Sequence, residues 1–452
     1  MIRLLDRLCL IATMLCVIFL VHGRGLAEAT IDVVAIGFLV RSGLSGEWRW
    51  TATPWVPIAL IWWGWLTICS LPVGPFGTGG WPGFVQAAAT LRFLLFVAAL
   101  QHSVLEGPRA RRLVGWLLAV ACLYIAAQML LQDVTGRNLF GNPRFHDGTL
   151  TGPYDKPRAA APLSRLLLPT MLVASAWIAG GAWLRGRSVK PAFRSLLAAA
   201  SVLPLLAGLA MMVLAGQRMP MLLTLLGLVV AGLLLRRLRG PLLAALVAAP
   251  LLVAVSAVLS PRSFSHLVVL FARQMRDFPH SSYGLIYNRA LAIGLANPMT
   301  GLGFDGFRNG CPDPAYFHAW PPWGDAEGDG GGVAICVQHA HNHALQALTD
   351  SGVVGLALFW AMVIAWLIAL SRGLASRGQV PLHQAYRVGL FAAVFIHEWP
   401  IASASAFTNM PLGGWFFLIL GVGLAEVSPP APGHATPRPY MQPTLESEAR
   451  DG

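Results

Sequence analysis

The chain alternates long apolar runs with short polar connections over most of its length. A helix needs about 20 mainly apolar residues to cross the hydrocarbon core of a membrane. Runs of about this length recur, and we predict twelve spans and an all-α polytopic membrane protein. The spans cover roughly residues 5–22, 26–41, 52–72, 83–102, 113–132, 160–184, 195–215, 219–235, 241–259, 352–371, 388–403 and 411–427.

The polar segments divide the chain into four parts. Residues 1–259 hold the first nine predicted spans, and residues 352–427 hold the last three. Between them lies a large polar loop, 260–351, and a short tail follows at 428–452. We expect the large loop to form a helical cap between the ninth and tenth spans.

Helical spacing of apolar residues predicts an amphipathic helix near 264–275 of the large loop. A second short helix is predicted at 284–296, because an Asn-Pro pair follows it. Residues 312–332 are rich in Pro and Gly and predict an irregular, lid-like loop. A helix is expected to restart near His341 and to continue into the tenth span.

Composition agrees with a membrane protein. The chain is 56% hydrophobic and only 12% charged, whereas soluble domains carry roughly 25% charged residues. Its net charge of +12 would suggest nucleic-acid binding in a soluble protein. Basic cytoplasmic loops explain this charge in a membrane protein, so we expect no nucleic-acid partner.

The distribution of arginine predicts the orientation. If the N-terminus lies in the cytoplasm, the inside loops carry the basic clusters, and the outside connections near 72–82 and 401–410 carry no Lys or Arg. Both termini are then cytoplasmic. The polar segments 133–159 and 260–351 are then outside, which in a bacterium is the periplasm. The apolar run 8–21 lacks a signal-peptide cleavage site and is expected to be the first span.

Three histidines at alternate positions, His339, His341 and His343, lie where the large loop re-enters an apolar helix. A neutral imidazole is the usual general base near neutral pH. A metal site and a solvated loop are the competing interpretations. Further metal ligands would come from five residues of the same loop: Asp313, His318, Asp325, Glu327 and Asp329.

Arginines embedded in apolar sequence form the second candidate group. Arg158, Arg165, Arg218 and Arg289 all belong to segments expected near the outer interface. A guanidinium matches phosphate oxygens in a bidentate way, so converging arginines would suit a lipid pyrophosphate. Structural ion pairing is the alternative, and it is the preferred interpretation for Arg92.

Three further residues remain open. Glu398 follows a histidine near the outer end of the eleventh span, where it would orient a base, pair with an arginine or anchor the helix at the interface. Cys311 and Cys336 both lie in the large loop, and the sequence is equally compatible with a disulfide and with two free thiols.

No phosphate-binding Walker loop, dinucleotide-binding turn or nucleophile elbow occurs in the sequence. A site outside the cytoplasm has no nucleotide sugar or ATP within reach. An enzyme there needs an activated donor, and a polyprenyl-pyrophosphate glycan is the natural one. We therefore expect no cofactor.

The histidine motif resembles that of a known family. His341-Asn342, nine residues, Gly352, two residues and Gly355 are similar to the His-Asn-x9-Gly-x-x-Gly signature of bacterial O-antigen ligases. His339 fits the broader superfamily of ligases and polymerases.

Two other stretches resemble the same superfamily, in the same order. Gly216-Gln217-Arg218 resembles its Arg-containing turn before a mid-chain span, although Gln217 stands where relatives often have Ser. Asn288-Arg289, followed by an Asn-Pro pair and a Gly-Leu-Gly sequence, resembles the stretch that leads to the histidine motif.

The resemblance implies a twelve-helix bundle with a periplasmic cap, working without metal or nucleotide. It implies transfer of O-antigen polysaccharide from undecaprenyl pyrophosphate to lipid A-core, at the periplasmic face of the inner membrane. His341 is the implied base, with His339 beside it and Asn342 and Gln217 in support. Arg218 and Arg289 are the implied pyrophosphate ligands, and His343 is expected to be dispensable.

Other functions fit parts of the pattern. An O-antigen or exopolysaccharide polymerase would use the same donor with a lipid-linked acceptor. A protein oligosaccharyltransferase of the same superfamily usually has a sizeable periplasmic C-terminal domain, unlike the short tail here. A transporter or flippase would place charges along a path through several spans, and the sequence shows mainly Arg92.

Overall fold

Each apolar run predicted as a span coincides with helix in the computed structural model. The structure describes residues 1–74, 76–184, 191–322, 328–374, 381–404 and 407–428. Over these ranges no β-strand occurs, so the prediction of an all-α protein is confirmed. The α-helices are α1 (Ile2–His22), α2 (Arg24–Ser45), α3 (Trp55–Cys69), α4 (Gly80–Ala89), α5 (Leu91–Ala99), α6 (Pro108–Thr135), α7 (Ala160–Leu184), α8 (Pro191–Ala200), α9 (Leu203–Ala215), α10 (Arg218–Leu234), α11 (Arg239–Leu259), α12 (Pro261–Phe264), α13 (Leu270–Arg276), α14 (Ser282–Ala296), α15 (Gly306–Gly310), α16 (His343–Ser371), α17 (Pro381–His397) and α18 (Leu412–Val427).

Seven helical stretches among the described residues are long and apolar enough to cross a membrane. Three further apolar helices, α3, α10 and α18, are shorter than this standard. The 15 residues of α3 span only about 23 Å at 1.5 Å per residue, less than the hydrocarbon core of about 30 Å. A multi-pass membrane protein is therefore supported, while the number twelve stays a prediction.

The helix α7 packs closely against α17 because Gly389 of α17 has no side chain. A Cβ atom on Gly389 would lie 2.3 Å from the Cα of Pro169 in α7. Small residues allow such close approach between helices in membranes. This contact brings Arg165, near the start of α7, towards the end of α17.

Arg92, the charged residue within the fourth predicted span, forms ion pairs, in agreement with the interpretation preferred for it from the sequence. Its guanidinium nitrogens lie 3.7 Å from a carboxylate oxygen of Glu28 and 3.5 Å from one of Asp32, both on α2. An ion pair between α2 and α5 thus accounts for this arginine, which removes the main sequence feature that a transporter would have used.

The connections that follow α3, α6, α9, α11 and α17 meet at one end of the bundle, which we call the loop end. Gln217 donates to the Pro157 carbonyl at 2.7 Å, and Ala404 donates to the His341 carbonyl at 2.9 Å. The Phe304 amide donates to the Ser70 hydroxyl at 2.9 Å. The large loop is therefore bonded to several shorter connections.

The helices predicted in the large loop are confirmed. Residues 261–276 form one helical stretch, in which a π-helical turn (Ser265–Val269) joins α12 to α13. The helix α14 ends at Ala296, before the Asn-Pro pair. The lid-like loop 312–332 contains a short 3-10 turn (Pro314–Tyr316). Its residues Asp325 and Glu327 lie outside the described ranges, as does the tail 428–452 beyond its first residue.

Cys311 and Cys336 form a disulfide with an S–S distance of 2.05 Å, which resolves the alternative that the sequence left open. Cys311 belongs to a small core of the large loop with Ile286, Ile293 and Phe307. The disulfide joins this core to the segment that leads into the histidine motif, because Cys336 lies only three residues before His339.

We expect Cys311→Ser to loosen the approach to the histidines. Closing a loop with 25 residues of sequence separation stabilises by about 3 kcal/mol in the chain-entropy model. Limited proteolysis of the purified protein should cleave 312–338 faster in the variant than in the oxidised wild type. Reduced wild type should match the variant, and the variant should not respond to reductant. Equal cleavage of oxidised and reduced wild type would contradict this prediction.

Candidate active site

The three histidines of the motif separate because the chain bends at His339 and His341 before α16 begins at His343. The rings of His339 and His341 lie edge to face, with centroids 4.4 Å apart. The ring of Tyr283, from α14, approaches His341 on another side at 5.5 Å. His339 and His341 therefore lie against each other in the segment that precedes α16.

The backbone of His341 has a positive φ of 54°. Such a conformation is uncommon for a residue other than glycine and persists only where its surroundings enforce it. The His341 carbonyl accepts a hydrogen bond from the Ala404 amide at 2.9 Å, which helps to hold it. The strain coincides with the residue that the motif selects as the base.

Asn342 fixes this conformation from the other side. Its side-chain oxygen caps α16 by accepting from the Leu345 amide at 3.0 Å. Its NH2 group donates to the carbonyls of Pro400, at 2.7 Å, and Ala402, at 3.3 Å. Asn342 therefore both begins α16 and ties it to the connection after α17, which is a structural reason for Asn next to His341.

The two glycines of the motif also have steric reasons. Gly352 has a φ of +67° and breaks α16, and a Cβ there would lie 2.5 Å from the Met299 backbone. A Cβ on Gly355 would overlap the Ser351 side chain. The motif thus encodes a kink nine residues after Asn342, which the sequence had predicted as plain helix.

The Gly-Leu-Gly stretch packs onto this kink. The Leu302 amide donates to the Thr349 carbonyl at 2.8 Å, and the Gly303 amide donates to the Asp350 carbonyl at 3.0 Å. The Gly306 amide donates to the Asp350 carboxylate at 2.8 Å. The Gly-Leu-Gly stretch and the histidine motif therefore form one packed unit that supports the start of α16.

Burial keeps the histidine pair uncharged. Desolvation lowers the pKa of the His341 imidazole below its ordinary value of 6.5. Desolvation, followed by the nearby His341 and His343, lowers the pKa of His339 to about 4. Both imidazoles are neutral at pH 7, so each has a lone pair that can accept a proton.

The turn that carries Gln217 and Arg218 lies between two loop segments. The Gln217 amide donates to the Pro157 carbonyl at 2.7 Å, which brings the neighbouring Arg158 towards this turn. Arg218 donates to the Gln274 side chain on α13, and it lies within electrostatic range of Tyr283. Because Tyr283 also contacts His341, the predicted pair Arg158 and Arg218 lies on the side of the histidine motif.

Arg289 lies in a different environment. Its side chain is 1% exposed, and its guanidinium donates to the carbonyls of Cys311, Asp329 and Gly332, the latter two at 3.1 Å each. The Phe317 ring covers it at 4.1 Å. These contacts hold the disulfide loop together, and they occupy the donors expected to bind pyrophosphate.

Arg165 and Glu398 meet within the bundle rather than at its surface. Arg165 is 5% exposed, donates to the Ala161 carbonyl and lies within electrostatic range of Glu398. Glu398 accepts a hydrogen bond from Nδ1 of His343 at 3.0 Å. The histidine oriented by Glu398 is thus His343, which the sequence had suggested was dispensable.

The metal ligands proposed from the sequence are not gathered among the described residues. The Asp313 and Asp329 carboxylates accept backbone amides of Ala315 and Gly331 at 2.9 and 3.0 Å. The part of the chain that the structure describes contains one group with the spacing of metal ligands, formed by His343, His397 and Glu398. Sequence reasoning missed this group because 54 positions separate His343 from His397 in the chain.

The fold and this site define a multi-pass helical membrane protein with a half-buried, neutral histidine pair at one end of its bundle. Residues 202–360 match the family model described as O-antigen ligase, which confirms the resemblance to that family. The matched segment contains Arg218, Arg289 and the complete histidine motif. Family members are O-antigen ligases or polymerases, which transfer glycans. None of the curated proteins compared with the chain matches it.

We expect the thermal stability of the wild type to fall as the pH falls from 6.5 towards 4. The unfolded chain binds a proton at His339 near pH 6.5, whereas the folded chain does so only near pH 4, so protonation favours unfolding across this window. His339→Gln should reduce this dependence, measured as melting temperature against pH. His280→Gln, at an exposed position, should not. Equal slopes for wild type and His339→Gln would contradict the prediction.

Proposed function

We propose that this protein is a glycosyltransferase that ligates O-antigen polysaccharide from undecaprenyl pyrophosphate onto the lipid A-core oligosaccharide. The observation that carries the proposal is His341, a neutral base held in a strained conformation inside the matched segment. The site would face the periplasm of a bacterial inner membrane, with both termini in the cytoplasm and membrane lipids around the bundle.

The proposed reaction is a single displacement. Neutral His341 removes the proton from an acceptor hydroxyl, and the hydroxyl oxygen forms a bond to the anomeric carbon of the donor. The bond from that carbon to the pyrophosphate breaks, and the lipid pyrophosphate leaves with the electron pair. The anomeric centre inverts because no covalent enzyme intermediate forms. The step uses no metal and no cofactor.

His339 lies where it can assist this base. Its ring contacts His341, and its lowered pKa keeps it an acceptor across the working pH range. A neutral imidazole beside the one that takes up the proton can accept a hydrogen bond from it. We therefore propose His339 as the group that orients His341 and stabilises its protonated form.

Arg218 and Arg158 are the better candidates for the pyrophosphate. Both belong to the loop segments joined by Gln217, and Arg218 reaches Tyr283 on the His341 side. Arg289 and Arg165 were predicted for the same role, but both are buried and already donate to backbone carbonyls. Binding an anion would cost them these bonds, so we propose that they position the loop and the bundle.

A polymerase is the second candidate, because the matched family includes both activities. It would use the same base and donor with a lipid-linked glycan as acceptor. The His-Asn-x9-Gly-x-x-Gly motif, whose kink the structure explains, favours the ligase through its resemblance to ligases.

His341→Ala should lower the ligation rate by roughly 10²- to 10⁴-fold, the usual contribution of a general base. The rate would be measured with purified protein, lipid-linked polysaccharide and lipid A-core. His280→Ala, at an exposed histidine of the same loop, should retain the wild-type rate. A near-wild-type rate for His341→Ala would exclude it as the base.

The variants Arg218→Ala and Arg289→Ala should have different effects on rate and stability. Loss of Arg218 should lower the rate by about 10²-fold, because a donor to the leaving group is lost, without lowering the melting temperature. Loss of Arg289 should make the disulfide loop sensitive to protease, because three carbonyls lose their donor. If Arg289→Ala keeps normal protease resistance but loses much of its rate, Arg289 would instead be a ligand of the pyrophosphate.

A deletion strain separates the two enzymes. If the protein is a ligase, the lipopolysaccharide ladder should disappear from gels while lipid-linked polymer accumulates. Loss of polymer length would instead indicate a polymerase or a flippase. Restoration by wild type, but not by His341→Ala, would connect the result to the proposed base.

A further inference from the structure

We propose that His343, His397 and Glu398 bind one divalent transition-metal ion of the zinc class. The ion would fasten the first residue of α16 to the last residue of α17. This site goes beyond the proposed reaction, in which the ion takes no part.

The spacing of the three side chains suits such an ion. Nδ1 of His343 lies 3.0 Å from Oε2 of Glu398, and Nε2 of His397 lies 3.7 Å from Oε1. One potential ligand atom from each residue lies within 4.8 Å of the others. Ligands bound tetrahedrally to zinc at about 2.0–2.2 Å lie roughly 3.3–3.5 Å apart, so small adjustments would complete the sphere.

Polar atoms in this group lack partners. Glu398 is 1% exposed at its side chain, and its Oε1 atom has no hydrogen-bond partner among the described residues. Within the same residues, Nδ1 of the buried His397 has none either. A buried carboxylate oxygen without a partner is unfavourable. The oxygen faces Nε2 of His397 across 3.7 Å, and an ion bound between these two atoms would give Oε1 a partner.

A fourth ligand also has room. A cavity of about 10 Å³ is lined by all three residues together with Asn342 and Trp360. A space of this size is close to the minimum that holds one water. Two histidines, one carboxylate and one water form a common set of four zinc ligands.

The positive charge of Arg165 sets a further condition on metal binding. Arg165 lies within electrostatic range of Glu398 and His397, so its positive charge disfavours a bare dication. Zinc lowers the pKa of a bound water to about 7, and a nearby guanidinium favours the resulting hydroxide. With hydroxide and the Glu398 carboxylate as ligands, the two negative charges balance the two positive charges of the ion.

The test is the metal content of the full-length chain, purified in detergent without a histidine tag and measured by mass spectrometry. We expect about one zinc per chain in the wild type. Glu398→Gln and His397→Ala should each bind zinc at least 10- to 100-fold more weakly, which is the loss that even removal of an outer hydrogen-bond partner causes. The matched control is His383→Ala on the same helix, whose imidazole pairs with Glu426 at 2.9 Å. It should keep its zinc.

A second measurement guards against variants that misfold. After prolonged chelation, which the burial of the site makes necessary, zinc chloride is added back and the melting temperature is followed. It should rise for wild type and His383→Ala, but not for Glu398→Gln. No bound metal in the wild type and no response to zinc would overturn the proposal, as would equal zinc binding in Glu398→Gln. A chain that ligates but holds no zinc as purified and does not respond to added zinc overturns this site alone, whereas a zinc-containing chain without ligation overturns only the proposed function.

Discussion

The amide of Asn342 bonds the start of α16 to the connection that follows α17. It caps α16 through Leu345 and donates to Pro400 and Ala402 after α17. This fixed point lies between His341, whose backbone is strained, and His343, which is bonded to Glu398. Because a strained residue needs rigid neighbours, the conformation of His341 depends on this amide and on the bond from Ala404.

The kink at Gly352 extends the same rigidity into the large loop. The backbone of 298–306 packs on residues 349–353, where only glycine permits the approach at Gly301 and Gly352. Arg289 and the Cys311–Cys336 disulfide then hold the outer part of the loop. Several motif residues thus act on the candidate base through packing rather than by touching a substrate, which suits a site that must keep its geometry at a membrane surface.

Burial gives the two sides of α16 different chemistry. On one side, His339 and His341 contact each other and Tyr283, and desolvation keeps them neutral. On the other side, His343 is bonded to the Glu398 carboxylate, with Arg165 in electrostatic range. The left-handed backbone of His341 and the start of α16 at His343 turn the chain between these residues, so neighbouring histidines reach different environments.

The sequence alone determined the all-α class, the positions of the apolar helices and the helix at 284–296, and its motif selected His341 as the candidate base. These depend on local periodicity, hydrophobic length and a short motif. It did not determine the disulfide, the break at Gly352, or which arginines are exposed to a ligand. Arg289 and Arg218 look alike in sequence, yet one donates to three loop carbonyls and the other donates to the Gln274 side chain. The partner of His343 lies 55 residues away, and only the packing of α16 against α17 brings such groups together.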